Sequence, residues 1–416
     1  MEGGRAWFDA ARFGLFVHWG IYSARGFEPS WPLVGNIPAF PYGQDTTVAD
    51  YYRDAASFVP PPDAPRSWLR LARAAGMEYA VLTTKHHDGY TLFPSAHSAF
   101  GIETFAPGRD LVREFVDATR DEGLRVGLYF SLPDWHHPDY PAWTEAFRPY
   151  ALRYPVLLED RWPSFLADLR GQLTDLLTNY GRIDLLWFDG GWERDAAVWD
   201  AAGLETLIRG LQPDIVINER LPGVGDYVSP EQSVPLDPID GWWETCLTMN
   251  HSWGPVEADL EHKSVRSLTT TLTETAAAGG RLLLNVSPDG EGVVPAWQRE
   301  RLEAIGAWMA RHTDAIHGTT AGLPAGRFHG PTTRGRDGTL YLHCVMRPQE
   351  EVVLRGVRGR HIESIRALGS GRELAFDLRL SALDRILDLD GDCDVLITVP
   401  DDALDPLITV LEVRFA

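Results

Sequence analysis

The sequence predicts an α/β protein in which a (β/α)8-like (TIM) barrel is followed by a small antiparallel β-sandwich domain. Short apolar runs alternate with amphipathic helical stretches over roughly the first three quarters of the chain, which is typical of βα units around a parallel sheet. Beyond residue 318, β-type runs follow one another without a long helical stripe. We therefore expect a catalytic barrel over 1–317 and a C-terminal β-domain over 318–416.

Seven apolar runs are predicted to form the barrel strands, because strands covered by helices must be apolar on both faces. Their ranges are 14–18, 79–84, 125–131, 183–189, 215–218, 244–249 and 282–286. Among the helices between them, 164–180 places Phe165 and Leu169 on one apolar stripe. Segments 110–122 and 295–312 show the same periodicity.

The C-terminal runs are separated by Gly, Asp and Pro, which favour turns between strands. The Gly-, Pro- and Thr-rich segment 318–333 is predicted to join the two domains. The five predicted strands of the β-domain are 339–345, 352–357, 373–378, 393–399 and 408–415.

Composition and charge exclude several classes of partner. The formal net charge of −21 argues against nucleic acid or an anionic membrane surface. No stretch approaches the roughly 18 apolar residues of a membrane span, and the first residues lack a signal-peptide pattern, so a cytoplasmic location is expected. Three widely spaced cysteines indicate neither a zinc knot nor a disulfide framework. The 15 Trp residues suit either a large core or platforms for sugar rings.

Polar and aromatic residues follow each predicted barrel strand. In a parallel barrel the catalytic groups lie at the carboxyl ends of the strands. Together these seven ends therefore predict a polar pocket with an aromatic rim. They are HWG (18–20), KHHDG (85–89), SLPDW (131–135), WFDGGW (187–192), NER (218–220), WETC (243–246) and NVSP (285–288).

Asp189 is the most informative of these residues. It follows the apolar run LLWF, and the two glycines after it leave open space above its carboxylate. A helix N-cap is the alternative role, since Asp commonly caps helices at βα junctions. The polar strand ends around it favour catalysis.

Three histidines at the same strand ends allow two interpretations. His18, His86 and His87 could form a metal site together with Asp189. However, the sequence has no H-x-H pair and no H-E-x-x-H helix. Neutral imidazoles also donate hydrogen bonds to sugar hydroxyls. We expect no metal and no cofactor.

At these residues the sequence resembles glycoside hydrolase family 29, the α-L-fucosidases. The resemblance implies a barrel with a C-terminal β-domain and a retaining exo-α-L-fucosidase that acts on fucosylated oligosaccharides or glycoconjugates through a covalent fucosyl-enzyme intermediate. The similar segments are ARFGLFVHWGIYS (11–23), TTKHHDGYTLFPS (83–95), GLYFSLPDW (127–135), LLWFDGGW (185–192), INER (217–220), WWETCLTMNHSWG (242–254) and LLLNVSPDGEGVVP (282–295).

The resemblance also implies roles for individual residues. Asp189 would be the nucleophile, and a second carboxyl group should stand about 5–5.5 Å away for retention. Glu28, in the segment after HWG, is the nearest equivalent of a sugar-binding Glu that many members carry there. The remaining implied contacts are His18, His86 and His87 to fucose hydroxyls, Trp187 lining the pocket, Tyr129 and Arg220 beside the reacting centre, and Trp253 near the fucose methyl group.

Three carboxylates compete for the role of general acid/base. Glu231 is expected to hold it, because it lies in a loop after the fifth predicted strand and such loops reach over the pocket. Glu244 is expected to be a pocket or supporting group, and Glu219 to form an ion pair.

The competing functions are a retaining glycosidase on a galactose-type sugar, a metal-dependent hydrolase on the same barrel, and a non-catalytic carbohydrate-binding protein. A binding protein has no need of the carboxylate set Asp189, Glu231 and Glu244 around one pole.

Overall fold

The computed structural model of the protein describes residues 4–35, 46–140, 156–387 and 390–416. Eight parallel strands form the catalytic barrel, and their residues are almost all buried on both faces. The strands are β1 (Phe13–Val17), β2 (Tyr79–Lys85), β3 (Arg125–Ser131), β4 (Leu185–Asp189), β5 (Val216–Ile217), β6 (Tyr227–Val228), β7 (Trp242–Leu247) and β8 (Arg281–Val286).

The barrel closes between β5 and β6. The hydrogen-bonded order of the eight strands is β5-β4-β3-β2-β1-β8-β7-β6. Asn218, directly after β5, forms a parallel bridge with Tyr227 of β6, and the Glu219 N–H donates to the Tyr227 carbonyl over 3.0 Å. All eight carboxyl ends therefore meet at one pole of the barrel.

Helices cover the outside of the barrel, and their apolar stripes pack on the strands. The described α-helices are α1 (Ala6–Ala10), α2 (Val48–Arg53), α3 (Ala64–Ala74), α4 (Ile102–Phe105), α5 (Leu111–Asp121), α6 (Trp162–Thr178), α7 (Ala196–Trp199), α8 (Ala201–Leu211), α9 (Val265–Ala277), α10 (Ala296–His312) and α11 (Ala382–Leu387). Among the described residues, no helix has both the length and the apolar character that a membrane crossing requires.

The seven predicted barrel strands are all present, with ends shifted by up to two residues. The eighth strand, β6, was expected to be part of a loop after strand five. It is only two residues long, and its side chains alternate between buried Tyr227 and exposed Val228. Backbone pairing within the closed barrel, and not an apolar run, holds it in place.

The C-terminal domain contains two antiparallel sheets, of six and three strands, around a core that includes Leu342, Leu354 and Val395. Its strands are β9 (Thr320–Ala321), β10 (Thr332–Arg334), β11 (Leu340–Cys344), β12 (Glu351–Val357), β13 (Ile362–Ala367), β14 (Arg372–Glu373), β15 (Phe376–Arg379), β16 (Cys393–Thr398) and β17 (Thr409–Phe415). The predicted barrel and antiparallel β-domain are confirmed.

Three features of this domain differ from the sequence prediction. The predicted single strand 373–378 is divided between β14, in the six-stranded sheet, and β15, in the three-stranded sheet. The expected joining segment 318–333 contains β9 and the start of β10. Strand β13 was not predicted, because Glu363 and Arg366 interrupt its apolar residues, although its buried positions Ile362, Ile365 and Ala367 mark an inward-facing side.

Candidate active site

Asp189 is the last residue of β4, and the turn after it exposes its carboxylate at the carboxyl pole of the barrel. Gly190 has a φ of +75°, which L side chains rarely adopt. A Cβ atom on Gly191 would lie 2.1 Å from the Arg220 carbonyl oxygen. Glycines at both positions therefore allow the chain to turn tightly beside the residues that face Asp189.

The Asp189 carboxylate is held in its ionised form by Arg220 and Tyr129. Burial acts to raise its pKa, but the positive charge of Arg220, with hydrogen bonds from Arg220 and Tyr129, outweighs burial and lowers the pKa. Arg220 Nη1 donates to Oδ1 over 2.8 Å, and the Tyr129 hydroxyl donates to Oδ2 over 2.9 Å. His87 Nε2 lies 3.6 Å from Oδ2. An anionic carboxylate fixed in this way is a suitable nucleophile.

Arg220 also binds Glu231, so one guanidinium joins the two predicted catalytic carboxylates. Its Nη2 donates to Glu231 Oε2 over 2.9 Å, while Nη1 binds Asp189. The Arg220 guanidinium is stacked 4.6 Å above the centre of the Trp187 ring. Burial acts to lower the pKa of Arg220, but the carboxylates around it raise the pKa and keep the group charged.

The three histidines lie around this carboxylate pair. His86 and His87 follow the last residue of β2, and their ring centres are 4.3 Å apart. His18 follows β1, 5.9 Å from the His86 ring. Because both His86 and His87 lie beyond the strand end, the alternation of a strand does not separate them, and both reach the site.

Hydrogen bonds determine which ring nitrogen carries the proton in two of them. His18 Nδ1 lies 2.7 Å from Asn285 Oδ1, an acceptor, so this nitrogen donates. His87 Nδ1 lies 2.7 Å from Ser131 Oγ, whose own proton is donated to the Pro133 carbonyl. His87 Nδ1 must therefore donate to Ser131. Neutral His18 and His87 each present Nε2 as an acceptor for a substrate hydroxyl.

Burial keeps all three histidines neutral near pH 7. It lowers the pKa of His18 and of His87 to about 4. The pKa of His86 is lowered further by burial together with its two histidine neighbours.

The ligand atoms of His86, His87 and Asp189 lie close enough together to hold a metal ion, within 4.8 Å of one another. The donor set fits a cation poorly. The Asp189 oxygens already accept hydrogen bonds from Arg220 and Tyr129, and the charged Arg220 guanidinium repels a second cation at this carboxylate. The arrangement favours neutral imidazoles that bind hydroxyl groups.

Stacked rings form the floor and one wall of the pocket. The His86 and Tyr129 rings are stacked with centres 5.4 Å apart, and Tyr129 stacks in turn on Trp187 at 5.5 Å. On another side, Phe16 packs against Trp253 with ring centres 5.8 Å apart. This second pair supplies an apolar wall.

The pocket is a small concave space at the carboxyl pole of the barrel, lined by polar and aromatic side chains. Sequence reasoning gave no individual role to Phe16, Trp31, Trp192 or Cys246, although Trp192 and Cys246 belong to the strand-end segments WFDGGW and WETC. Nothing in its apolar strand distinguishes Phe16, and Trp31 follows Glu28 in the segment after HWG. The lining residues are Phe16, His18, Trp31, His86, Tyr129, Trp187, Asp189, Trp192, Arg220, Glu231, Cys246 and Trp253.

Glu244, expected to be a pocket or supporting group, lies beneath the pocket and does not line it. Its side chain points into the barrel interior and is fully buried. The carboxylate accepts hydrogen bonds from Tyr79 at 2.5 Å, Trp187 Nε1 at 3.0 Å and Tyr227 at 3.2 Å. Burial raises its pKa to about 7 although these three hydrogen bonds act to lower it. Glu244 thus supports Trp187 from below.

Glu28 likewise lies behind the pocket wall and not at the sugar. Its oxygens accept from the backbone N–H of Trp253 at 2.9 and 3.0 Å and of Gly254 at 3.2 Å. Burial raises its pKa to about 8. Because the carboxylate binds the backbone of 253–254, Glu28 positions Trp253. Glu219, expected in an ion pair, instead accepts hydrogen bonds from Ser229.

Comparison with known proteins gives the same assignment. A family model described as alpha-L-fucosidase matches residues 3–314. The chain belongs to the α-L-fucosidase family. It is a glycoside hydrolase, and the family, fold and enzyme class predicted from the sequence are confirmed. Tissue alpha-L-fucosidase from Bos taurus is 33% identical over 343 residues, which are 75% of this chain and 68% of the relative.

Solved structures of the family are similar along almost the whole chain. Alpha-L-fucosidase isoenzyme 1 from Paenibacillus thiaminolyticus is 36% identical, with a TM-score of 0.86, and the match covers 100% of this enzyme and 99% of the other. Thermotoga maritima alpha-fucosidase, in complex with a mechanism based inhibitor, is 27% identical with a TM-score of 0.76, covering 98% and 96% of the two chains.

Proposed function

We propose that this enzyme releases terminal α-L-fucose from glycans with retention, using Asp189 as nucleophile and Glu231 as general acid/base. The observation that carries the proposal is the double contact of Arg220, whose two terminal nitrogens bind Asp189 and Glu231. Both carboxylates therefore face the same space above the pocket, where one glycosidic bond can lie between them. A retaining glycosidase requires such a pair.

In the first step, an Asp189 oxygen attacks the anomeric carbon and forms an ester bond to it. The bond from this carbon to the leaving oxygen breaks, and Glu231 gives its proton to that oxygen. The low pKa of Asp189 keeps the nucleophile anionic. The position of Glu231 at the open side of the pocket suits it to meet the leaving group and to exchange protons with water.

In the second step, Glu231 removes a proton from a water molecule while the water oxygen attacks the anomeric carbon. The ester bond to Asp189 breaks, and the Asp189 carboxylate is regenerated. Two inversions at one carbon give overall retention. Arg220 and Tyr129, which bind the Asp189 oxygens, stabilise the charge that returns to the carboxylate.

The walls of the pocket favour a 6-deoxy sugar over galactose. Trp253 and Phe16 present apolar surface, against which a methyl group loses no hydrogen bonds. The hydroxymethyl group of a galactose-type sugar would lose its hydrogen bonds with water there, which costs on the order of 1–3 kcal/mol. The neutral histidines, of which His18 packs beside both Phe16 and Trp253, can form hydrogen bonds with the ring hydroxyls.

The test is the anomeric form of the first sugar released. Proton NMR during hydrolysis of an aryl α-L-fucoside should show α-L-fucose first and the β anomer only as it equilibrates. Initial β-L-fucose would mean that one carboxylate activates water for direct attack while the other protonates the leaving oxygen, and it would overturn the retaining mechanism. An aryl α-L-galactoside, which differs from the fucoside only by a hydroxyl group on C6, serves as the comparison substrate and should be turned over more slowly.

A further inference from the structure

Trp192 is a large aromatic side chain that remains 46% exposed at the edge of the catalytic pocket. Most other lining residues are buried, including Trp187 and Trp253. An indole exposed at the edge of this pocket offers a flat apolar face with a polar N–H at its rim, which suits contact with a sugar ring.

The backbone on both sides of Trp192 is firmly held. The Gly191 carbonyl accepts a hydrogen bond from Trp199 Nε1 at 2.9 Å. Glu193 is buried and accepts from Trp135 Nε1 at 3.1 Å and from the Tyr140 hydroxyl. The exposed ring of Trp192 is thus attached to a rigid turn, which is how a binding surface is kept ready for a ligand.

The leaving group must lie on this side of the pocket. Glu231, which would protonate the leaving oxygen, lines the pocket with a 35% exposed side chain. The sugar that carries the fucose must bring its glycosidic oxygen to Glu231, so it lies at the open side of the pocket. Trp192 is an exposed residue of the same pocket lining, with its ring 6.1 Å from that of His87.

We propose that Trp192 forms a leaving-group subsite, a platform on which the apolar face of the pyranose ring that carries the fucose stacks. The proposal rests on the fucosidase activity proposed above and names its natural substrate class as glycosides whose leaving group is itself a sugar. The indole offers a flat apolar face of the size of a pyranose ring. Such stacking stabilises the transition state only for leaving groups large enough to reach Trp192.

The test compares two substrates on the same enzyme preparation. One substrate is a disaccharide of α-L-fucose linked to galactose, whose galactose leaving group can reach Trp192. The other is α-L-fucosyl fluoride, whose leaving group is a fluoride ion that cannot reach it. The ratio of their kcat/KM values should fall about 5- to 10-fold in Trp192→Ala, from the loss of one aromatic contact. In Trp192→Phe, which keeps an aromatic face, the ratio should stay close to that of the wild type. Because both substrates are measured on one preparation, partial unfolding cancels.

The matched control is Trp297→Ala, since Trp297 is half-buried on α10 and stacks on His262 away from the pocket. The ratio of kcat/KM for the disaccharide to kcat/KM for the fluoride should be the same in this variant as in the wild type. A second measurement follows the fucosyl-enzyme, which partitions between water and an added galactoside acceptor. Trp192→Ala should lower the fraction transferred to the galactoside by a similar factor.

An unchanged substrate ratio or an unchanged transfer fraction in Trp192→Ala would overturn the subsite while leaving the fucosidase activity in place. If the wild-type enzyme cleaves neither fucosyl donor, the proposed function fails, and the subsite fails with it. The two failures are therefore distinguished by the wild-type rates alone.

Discussion

Glu231 lies in parallel register with Cys246 of β7. The Cys246 N–H donates to the Pro230 carbonyl over 3.1 Å, and the Gln232 N–H donates to the Cys246 carbonyl over 2.9 Å. Glu231 is therefore fixed by backbone hydrogen bonds on both sides, although its carboxylate reaches the open edge of the pocket. A residue on a free loop would not hold a catalytic carboxyl group so closely beside Asp189.

Replacing Glu231 should make the rate depend on the leaving group. Glu231→Ala removes the proton donor, so substrates with poor leaving groups should lose about 10²–10⁴-fold in kcat/KM, while activated aryl fucosides lose little in the first step. The measurement is kcat/KM for a series of aryl α-L-fucosides of different phenol pKa. A uniform decrease across the series would contradict the assignment.

Glu244→Ala provides the contrasting variant. It leaves the hydroxyls of Tyr79 and Tyr227 and the Trp187 indole N–H without their buried acceptor, each at a cost of about 1–3 kcal/mol. We expect a lower free energy of unfolding in urea and a decrease in kcat/KM that is the same for all leaving groups. If Glu244→Ala instead shows the leaving-group dependence and Glu231→Ala does not, the two roles must be exchanged.

Removal of the nucleophile should be partly reversible by azide. Asp189→Gly cannot form the ester intermediate, so the rate should fall by about 10³-fold or more. Azide can occupy the space left by the carboxylate and attack the same face, which gives β-L-fucosyl azide. Product analysis by NMR checks this outcome, and near-normal turnover without azide would remove Asp189 from the mechanism.

The buried histidines should make the fold less stable as the solution is acidified. Burial lowers the pKa of His18 from 6.5 to about 4, so between these values the unfolded chain binds a proton that the folded chain does not. The free energy of unfolding should therefore fall as pH decreases from about 6.5 to about 4, by up to about 1.4 kcal/mol per pH unit for this residue.

Urea unfolding of the wild type and of His18→Gln across this range measures the effect. The variant lacks the His18 imidazole, so the free energy of unfolding of the wild type should fall more steeply with decreasing pH than that of the variant. If the two free energies have the same dependence on pH, His18 does not titrate in this way.

Activity should not require a metal ion. Arg220 and Tyr129 occupy the Asp189 oxygens that a metal would need. We expect kcat/KM for an aryl α-L-fucoside to be unchanged after prolonged dialysis against EDTA. Loss of activity that added Zn²⁺ restores would support a metallohydrolase instead.

The sequence predicted the barrel and most of the pocket because both rest on local patterns. Apolar runs marked seven strands, and the polar residues after them marked their carboxyl ends, which a closed barrel brings together. His18, His86, Asp189 and Arg220 could be placed in one pocket on that basis without knowledge of their side-chain contacts.

Two predicted site carboxylates lie outside the pocket lining, and their hydrogen-bond partners are distant in the chain. Glu28 binds the backbone N–H of a residue 225 positions away, and Glu244 accepts from Tyr79, 165 positions away. No local pattern distinguishes a carboxylate that faces a sugar from one that supports the wall behind it. The short strand β6 was missed for a related reason, since only its pairing with neighbouring strands defines it.

The turn that follows Asp189 limits which residues of this enzyme can change its substrate preference. Gly190 and Gly191 have no space for a side chain beside Pro133 and the Arg220 carbonyl, and Glu193 accepts hydrogen bonds from two buried donors. Position 192 is left as the one place in this four-residue stretch where the structure accommodates substitution. A saturation library over 190–193 should thus return active clones that vary at 192, and selectivity for different glycans could evolve there without displacing Asp189.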